Sequence, residues 1–183
     1  MIPDIPTSGM TLILGGARSG KSALAEKIAR DSETSVLFVA TATAGDEEMA
    51  SRILRHRASR PAVWQTLELP RNVGRSLETK GAGVVIVDCI TLLVNNILLS
   101  LPENASEDTV MEKIRAEMDD LIFAQARLGG RWLVVSNEVG LGLVPPYPLG
   151  RLYRDALGRA NQILAAAAQR VIFMVAGLPL TVK

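Results

Sequence analysis

Eight consecutive residues could bind the phosphates of a nucleotide. They read Gly15-Gly16-Ala17-Arg18-Ser19-Gly20-Lys21-Ser22 and match the pattern G-x-x-x-x-G-K-[ST]. The glycines permit a tight turn whose backbone N–H groups converge on phosphate oxygens. Lys21 would add a positive charge at the β and γ phosphates, while the Ser22 hydroxyl suits Mg²⁺. The motif therefore predicts a nucleoside triphosphate site but leaves open which reaction the nucleotide undergoes.

A carboxylate at the end of a predicted strand could complete a metal site with this loop. The apolar run Val84-Val85-Ile86-Val87 ends in Asp88, which is the pattern of a Walker B acid. In a parallel nucleotide-binding sheet, Asp88 would reach Mg²⁺ held by Ser22, directly or through water. The alternative is an acid that caps the helix expected to begin near Thr91. The presence of the phosphate loop favours the metal role.

The chain has a single histidine, His56, which lies near the end of a predicted helix. It follows Ile53 by three positions, so its imidazole is expected on the apolar face that Met49 and Ile53 define. Four nearby arginines suit phosphate binding, and their like charge favours a neutral imidazole: Arg52, Arg55, Arg57 and Arg60. A neutral ring nitrogen in this setting could attack phosphorus. The alternatives are a packed or solvated histidine and arginines that interact with the helix C-terminus.

A third polar group follows the predicted strand at residues 132–136. Asn137 and Glu138 stand at its end, before a loop with two glycines. Ligands of open parallel sheets bind beyond the carboxyl ends of the strands, where this pair, Asp88 and the phosphate loop would converge. A simple turn with helix-capping residues is an equal alternative. The next helix has polar residues that could face solvent, a subunit or an anionic substrate: Arg151, Arg154, Asp155, Arg159, Asn161 and Gln162.

Composition limits the class of protein. A chain of 183 residues with 48% apolar and 21% charged residues is long enough to form one buried core. A net charge of +1 argues against a nucleic-acid or membrane binder. The single cysteine, Cys89, excludes an internal disulfide, is expected in or near the core, and indicates a cytoplasmic location. The longest apolar region, 83–101, is interrupted by polar residues and is not expected to span a membrane, and residues 1–10 lack the features of a secretory signal.

Apolar runs alternate with helix-period segments, which predicts an α/β fold with a mostly parallel sheet and helices on both faces. Each strand candidate is a near-continuous apolar run: residues 11–14, 35–40, 83–87, 132–136 and 170–176. The helix candidates are residues 21–30, 46–58, 91–99, 109–128 and 148–168. Two segments look irregular: 61–80, with a possible short strand at 63–69, and 101–108. We expect an N-terminal extension over residues 1–10 and a single P-loop nucleotide-binding domain over 11–183.

Together these motifs resemble one family, the bifunctional adenosylcobinamide kinase and adenosylcobinamide-phosphate guanylyltransferase of cobalamin biosynthesis. The resemblance covers nearly the whole chain from about Thr11 onward. Besides the phosphate loop, it rests on Ala40-Thr41-Ala42, Asp46-Glu47-Glu48-Met49, Arg52-Ile53, His56-Arg57, Arg60-Pro61, Asp88-Cys89-Ile90-Thr91, Asn137-Glu138-Val139-Gly140, Arg154-Asp155 and Asn161-Gln162. The His56 segment combined with the Asn-Glu-Val-Gly loop is the most specific part.

The resemblance implies a P-loop NTPase with a RecA-like sheet in each subunit of a homotrimer. It also implies two reactions: ATP or GTP phosphorylates adenosylcobinamide, and GTP then transfers GMP through a guanylylated histidine to that phosphate, giving adenosylcobinamide-GDP. By position, His56 would be the guanylylated residue, while Lys21 would stabilise the departing pyrophosphate. The nucleotide-binding positions would be residues 15–22 with Ala40, Thr41, Ala42, Arg57, Ala58, Ser59, Arg60, Glu68 and Asp88, and the Mg²⁺ ligands would be Ser22 and Asp88.

Two other functions stay open from the residues alone. A small-molecule kinase would transfer only the γ phosphate and would use His56 as a phosphate contact. Without the resemblance, this is the simpler interpretation. A nucleotide switch or ATPase module would act on a protein partner, and the sequence offers little in its favour.

Overall fold

A seven-stranded sheet forms the centre of the computed structural model, which describes residues 5–43, 45, 47–58, 60–78 and 82–183. The strands are Gly9–Gly15 (β1), Val36–Ala40 (β2), Gln65–Glu68 (β3), Val84–Asp88 (β4), Arg131–Val135 (β5), Arg170–Val175 (β6) and Leu178–Thr181 (β7). The helices are Lys21–Asp31 (α1), Glu47–Ala58 (α2), Val73–Ser76 (α3), Ile90–Ser100 (α4), Glu107–Leu128 (α5) and Pro148–Ala167 (α6).

The strand order across the sheet is β3-β2-β4-β5-β1-β6-β7. All neighbouring pairs are parallel except β6 and β7, which are antiparallel. The carboxyl ends of the parallel strands therefore meet at one edge, where β1 leads into the phosphate loop and β4 ends in Asp88. The predicted α/β class, a mostly parallel sheet with helices on both faces, is confirmed.

The helices cover the two faces of the sheet unequally. Successive strand residues point to opposite faces, so each strand contributes to both. One face packs against α3, α4, α5 and α6 around the fully buried Trp132, whereas among the described side chains the helix in the core of the other face is α1. The helix that follows the phosphate loop is therefore fixed directly on the sheet, through Leu24, Ala25, Ile28 and Ala29.

The packed domain begins before residue 11. Strand β1 starts at Gly9, and Met10 is buried in the core. Ile5 packs against the core of the α1 face, and the Pro6 carbonyl accepts a hydrogen bond from Arg131 Nε at 2.8 Å. Within the described residues, no helix is long and apolar enough to cross a membrane.

The five predicted strands and the five predicted helices all form, and their ends agree with the predictions to within two residues, with Asp46 outside the described residues. The possible short strand at 63–69 is present as β3. Two elements were not predicted. Strand β7 follows a two-residue turn in which Ala176 and Gly177 both have positive φ, 49° and 82°. Pro179 lies within β7, and a proline in a strand is tolerated there because β7 is at the edge of the sheet.

The other unpredicted element is α3, a single helical turn within the segment that looked irregular. Its first N–H groups are satisfied by a residue of α5, because Glu117 accepts from Asn72 N at 3.0 Å and Val73 N at 2.7 Å. Gly74 lies directly against the α5 backbone, where a Cβ would overlap the Asp120 carbonyl. Helix α3 therefore depends on partners more than 40 residues away, which local sequence patterns do not reveal.

Candidate nucleotide-binding site

The phosphate loop joins β1 to α1 through backbone conformations that favour glycine. Gly15 has a φ of 149°, and Gly20, the N-cap residue of α1, has a φ of 96°. A Cβ on Gly15 would lie 2.5 Å from the Met174 carbonyl oxygen, so β6 leaves no space for a side chain. The tip of the loop, from Gly16 through Ala17 to Arg18, is exposed. A helix N-terminus approached through such a loop is suited to bind phosphate.

Lys21 is the first residue of α1 and is 7% exposed. Its ammonium group donates to the Gly16 carbonyl at 2.6 Å and lies 3.5 Å from Ser19 Oγ. Burial lowers the pKa of Lys21, and the negative charge of Asp88 acts in the opposite direction. The lysine is thus folded back over the loop, where phosphate oxygens would replace the Gly16 carbonyl as acceptors.

Two neighbouring loops brace the phosphate loop from either side. The Gly15 carbonyl accepts from Glu138 N at 3.1 Å, and the Ser19 carbonyl accepts from Gly177 N at 3.1 Å. The first contact comes from the segment after β5 and the second from the turn between β6 and β7. Because β5 and β6 flank β1 in the sheet, the strand order itself places these supports.

A pocket of about 150 Å³ lies beside the loop and is lined by seven of the residues expected at the site. Ser22 of α1 and Asp88 of β4 both line it, so the two expected metal ligands share one cavity. The remaining lining residues come from the end of β2, from α2 and the residues after it, from β3 and from the start of α4: Ala40, Ala42, Ile53, Arg57, Arg60, Glu68, Cys89 and Leu92. Mg²⁺ in nucleotide sites uses one or two protein oxygens with substrate phosphates, and a hydroxyl beside a carboxylate fits that donor set.

The guanidinium group of Arg60 is fixed on the aromatic ring of Phe38, with Cζ 3.6 Å from the ring centroid. Its Nε is buried and has no hydrogen-bond partner. Burial lowers the pKa of Arg60, and Asp88 opposes this shift. Arg57 is more exposed and pairs with Glu68 at 3.4 Å. An arginine held by stacking in a pocket with an orphaned N–H group is suited to receive an anionic ligand.

The described residues do not place every expected site residue in the pocket. Thr41 is fully buried behind Ala40 and Ala42, and Ala58 is exposed at the end of α2. Ser59 lies outside the described residues, as do the side chains of Arg52, Arg55 and His56. The backbone of His56 is helical, between Ile53 and Arg57, whose side chains line the pocket.

Asp88 is not at the position of a helix cap. The N-cap residue of α4 is Cys89, with no side-chain cap bond, and the helix begins at Ile90. No group of three or more His, Cys, Asp or Glu side chains forms a protein-only metal cluster in the part of the chain that the structure describes. This geometry favours an Asp88 that faces the nucleotide pocket over the capping alternative.

Cys89 is half-buried and its thiol pKa is raised to about 11, first by burial and then by the charge of Asp88. We expect the native thiol to react with dithiobis(nitrobenzoate) near pH 8 about 100-fold more slowly than an unperturbed cysteine, because only the thiolate attacks. The rate should keep rising as the pH increases toward 11. The urea-unfolded chain is the control, and equal rates for native and unfolded chains would contradict the assignment.

A buried polar network holds the segment after β5. Ser136 Oγ donates to Asn161 Oδ1 at 2.7 Å, and Asn161 Nδ2 donates to the Asn137 carbonyl at 3.0 Å. Asn137 N in turn donates to Thr91 Oγ1 at 2.9 Å. The network ties α6, β5 and α4 together and directs Glu138 N toward the phosphate loop. Asn161 is among the polar residues expected to face solvent, a subunit or an anionic substrate, yet it is 6% exposed.

Replacing Asn161 with alanine should destabilise the fold by about 1–3 kcal/mol, because it leaves the Ser136 hydroxyl and the Asn137 carbonyl without partners. Gln162 is the next residue and is exposed, so Gln162→Ala is a matched control expected to change stability by less than about 0.5 kcal/mol. Urea unfolding of both variants measures the difference. Equal stabilities would show that the network does not hold this segment.

Other residues of the α6 polar face lie apart from the nucleotide pocket. Arg154, Asp155, Arg159 and Gln162 line a separate open recess with Gly140 and Gly158. Glu138 Oε1 accepts from Gly140 N at 2.5 Å, which is a contact within the turn. The structure therefore brings the backbone of the Asn137–Glu138 segment to the phosphate loop.

The sheet order, the phosphate loop and the carboxylate at the end of β4 define the class of this protein as a P-loop nucleoside triphosphate-binding fold. The family model described as cobinamide kinase / cobinamide phosphate guanyltransferase matches residues 11–182. The chain belongs to this family.

Curated relatives are similar over nearly their whole lengths. The bifunctional adenosylcobalamin biosynthesis protein CobP of Pseudomonas aeruginosa is 45% identical over 94% of this chain and 96% of its own. The bifunctional adenosylcobalamin biosynthesis protein CobU is 39% identical in Escherichia coli and 40% identical in Salmonella typhimurium, over 95% of this chain and 99% of each relative. Among solved structures, the RadB recombinase matches with a TM-score of 0.49 at 13% identity, over 92% of this chain and 74% of that chain.

Proposed function

We propose that this chain catalyses two consecutive transfers on one corrinoid substrate. In the first, the hydroxyl group of adenosylcobinamide attacks the γ phosphorus of ATP or GTP, the bond to the β-phosphate oxygen breaks, and the nucleoside diphosphate leaves. In the second, GMP is transferred from GTP to the new phosphate, giving adenosylcobinamide-GDP and pyrophosphate. The observation that carries the proposal is that three segments line one and the same pocket. Ser22 comes from the phosphate loop, Asp88 from the end of β4 and Arg60 from the residues that follow α2.

The GMP transfer is proposed to pass through His56. An imidazole nitrogen attacks the α phosphorus of GTP, the bond to the β phosphate breaks, and pyrophosphate leaves. A phosphate oxygen of the phosphorylated substrate then attacks the same phosphorus, and the imidazole departs unchanged. Support comes from sequence and from the position of α2, since Ile53 and Arg57 on either side of His56 line the pocket.

The remaining residues are proposed to bind and orient the nucleotide. The loop amides and Lys21 would hold the β and γ phosphates, and Arg57 and Arg60 would bind the charge that develops at the α phosphorus. Ala40, Ala42, Ala58, Ser59 and Glu68 complete the proposed set of nucleotide contacts, whereas Thr41 is buried and does not line the pocket. Mg²⁺ held by Ser22 and Asp88 would neutralise phosphate charge.

Two finer features are also part of the proposal. The family resemblance supports a homotrimer, and exposed apolar side chains after β5 offer surface that a subunit contact could bury: Leu141, Leu143, Val144 and Tyr147. Sedimentation of the purified chain tests this assembly state.

The single cysteine supports a cytoplasmic location.

Mass spectrometry of the corrinoid products tests the two-step proposal. With ATP alone, the expected product is adenosylcobinamide phosphate; with GTP added, it is adenosylcobinamide-GDP. A chain that makes the phosphate but never the GDP product in the presence of GTP would be a kinase only. Nucleotide hydrolysis without a modified corrinoid would instead favour a switch or ATPase module.

A further inference from the structure

Thr41 lies directly behind the nucleotide pocket, and its contacts are with protein. We infer that Thr41 is a positioning residue that directs the Asp88 carboxylate toward the nucleotide-bound metal. The inference rests on the proposed metal role of Asp88. It differs from a nucleotide contact at Thr41, because the threonine would act through the peptide group that follows Asp88.

Thr41 forms hydrogen bonds with both the carbonyl and the N–H of the peptide group between Asp88 and Cys89. Thr41 N donates to the Asp88 carbonyl at 3.1 Å. Cys89 N donates to Thr41 Oγ1 at 2.8 Å, and that hydroxyl donates in turn to the Cys89 carbonyl at 2.7 Å. One threonine therefore fixes three consecutive backbone groups at the point where β4 leaves the sheet.

These bonds replace the sheet contacts that end at this point. The last register pair between β2 and β4 joins Ala40 to Asp88, so the following residues have no further ladder partner in that pair. A backbone group that leaves a sheet beneath a pocket still needs a partner. The Thr41 hydroxyl supplies it for Cys89 N and thereby limits rotation of the backbone that carries Asp88.

Thr41 is itself fixed and turned away from the pocket. It is 0% exposed, whereas Ala40 and Ala42 on either side line the pocket, as expected from alternation along an extended chain. Asn96 Nδ2 donates to the Thr41 carbonyl at 2.8 Å and also to the Pro70 carbonyl at 3.0 Å. The backbone and hydroxyl donors of Thr41 are therefore all used within the protein.

Thr41→Val is the informative variant, because valine keeps the shape and removes the hydroxyl. We expect it to raise the Mg²⁺ concentration needed for tight GTP binding by about 10-fold or more and to lower kcat similarly, as do substitutions of residues that orient metal ligands. GTP binding in EDTA should change by less than about 2-fold, since no nucleotide contact is lost. In folded Thr41→Val, the Cys89 thiol should react with dithiobis(nitrobenzoate) faster than it does in the wild-type chain, because Cys89 loses the hydrogen bonds of its backbone to the Thr41 hydroxyl.

Two companion variants separate positioning from structure. Thr41→Ser keeps the hydroxyl, so the Mg²⁺ concentration that it needs for tight GTP binding should be that of the wild-type chain. This variant also tests the inference if the valine variant does not fold. Thr43→Val removes an exposed threonine hydroxyl that bonds Asn96 Oδ1 at 3.3 Å, and it should leave both measurements unchanged.

Three results would overturn the inference: wild-type metal dependence in folded Thr41→Val, loss of GTP binding in EDTA, or failure of Thr41→Ser to restore the metal response. Failure of the proposed function can be distinguished from failure of this inference. It would appear as a wild-type chain that transfers nothing to the corrinoid, whereas the metal-linked binding of GTP is measured without turnover.

Discussion

His56→Ala is expected to stop GMP transfer while the chain still phosphorylates adenosylcobinamide. Loss of a covalent nucleophile removes the reaction path, so formation of the GDP product should fall by about 10⁴-fold or more. The γ-phosphate transfer is proposed to proceed without the imidazole and should stay within about threefold of wild type. Separate assays of the two corrinoid products measure both effects in one preparation.

Leu54→Ala is a matched control for this variant. Leu54 belongs to the same helix, is 66% exposed and does not line the nucleotide pocket. It should therefore leave both reactions near the wild-type rate. Loss of phosphorylation in a folded His56→Ala chain would contradict separable roles, and GMP transfer that persists would remove His56 from the mechanism.

Lys21→Met should impair both reactions, by about 10²–10³-fold each. The ammonium group lies over the phosphate loop, bonded to the Gly16 carbonyl at 2.6 Å, and is expected to stabilise the charge that forms on the departing phosphates. Methionine retains an apolar chain of similar length and leaves the loop without its charge. Initial rates with saturating nucleotide separate this loss from weaker binding.

Lys27→Met provides the matched control on the same helix. Lys27 is exposed and pairs with Asp31 at 3.0 Å, so its loss should have little effect on stability or on either reaction. A Lys21→Met chain that loses only one of the two reactions would contradict a shared phosphate site.

The parts of the site that could be predicted from sequence are those encoded over short spans. The phosphate loop lies within eight residues between a strand and a helix, and Asp88 directly follows four apolar residues. Their convergence follows from a parallel sheet, because the carboxyl ends of its strands share one edge. These two predictions needed no knowledge of distant contacts.

The supports of the site depend on contacts that sequence patterns do not reveal. Thr41 forms a hydrogen bond with Cys89, which is 48 residues away in sequence, and Asn161 forms one with Ser136, which is 25 residues away. Thr41 and Asn161 are polar residues, so their types alone suggest surface positions. In the structure both are buried, because other residues satisfy their polar groups. The α3 turn likewise forms because Glu117 reaches it from α5.

One pocket is proposed to serve both γ transfer to a hydroxyl group and α transfer to an imidazole. The most direct measurement is incubation of the wild-type chain with GTP labelled at the α phosphorus, followed by peptide mapping at neutral or alkaline pH, with a parallel sample treated with acid before mapping. We expect the label to be confined to the peptide that contains His56 and to be lost from the acid-treated sample. Formation of adenosylcobinamide-GDP with no labelled protein, or with the label on another peptide, would contradict it.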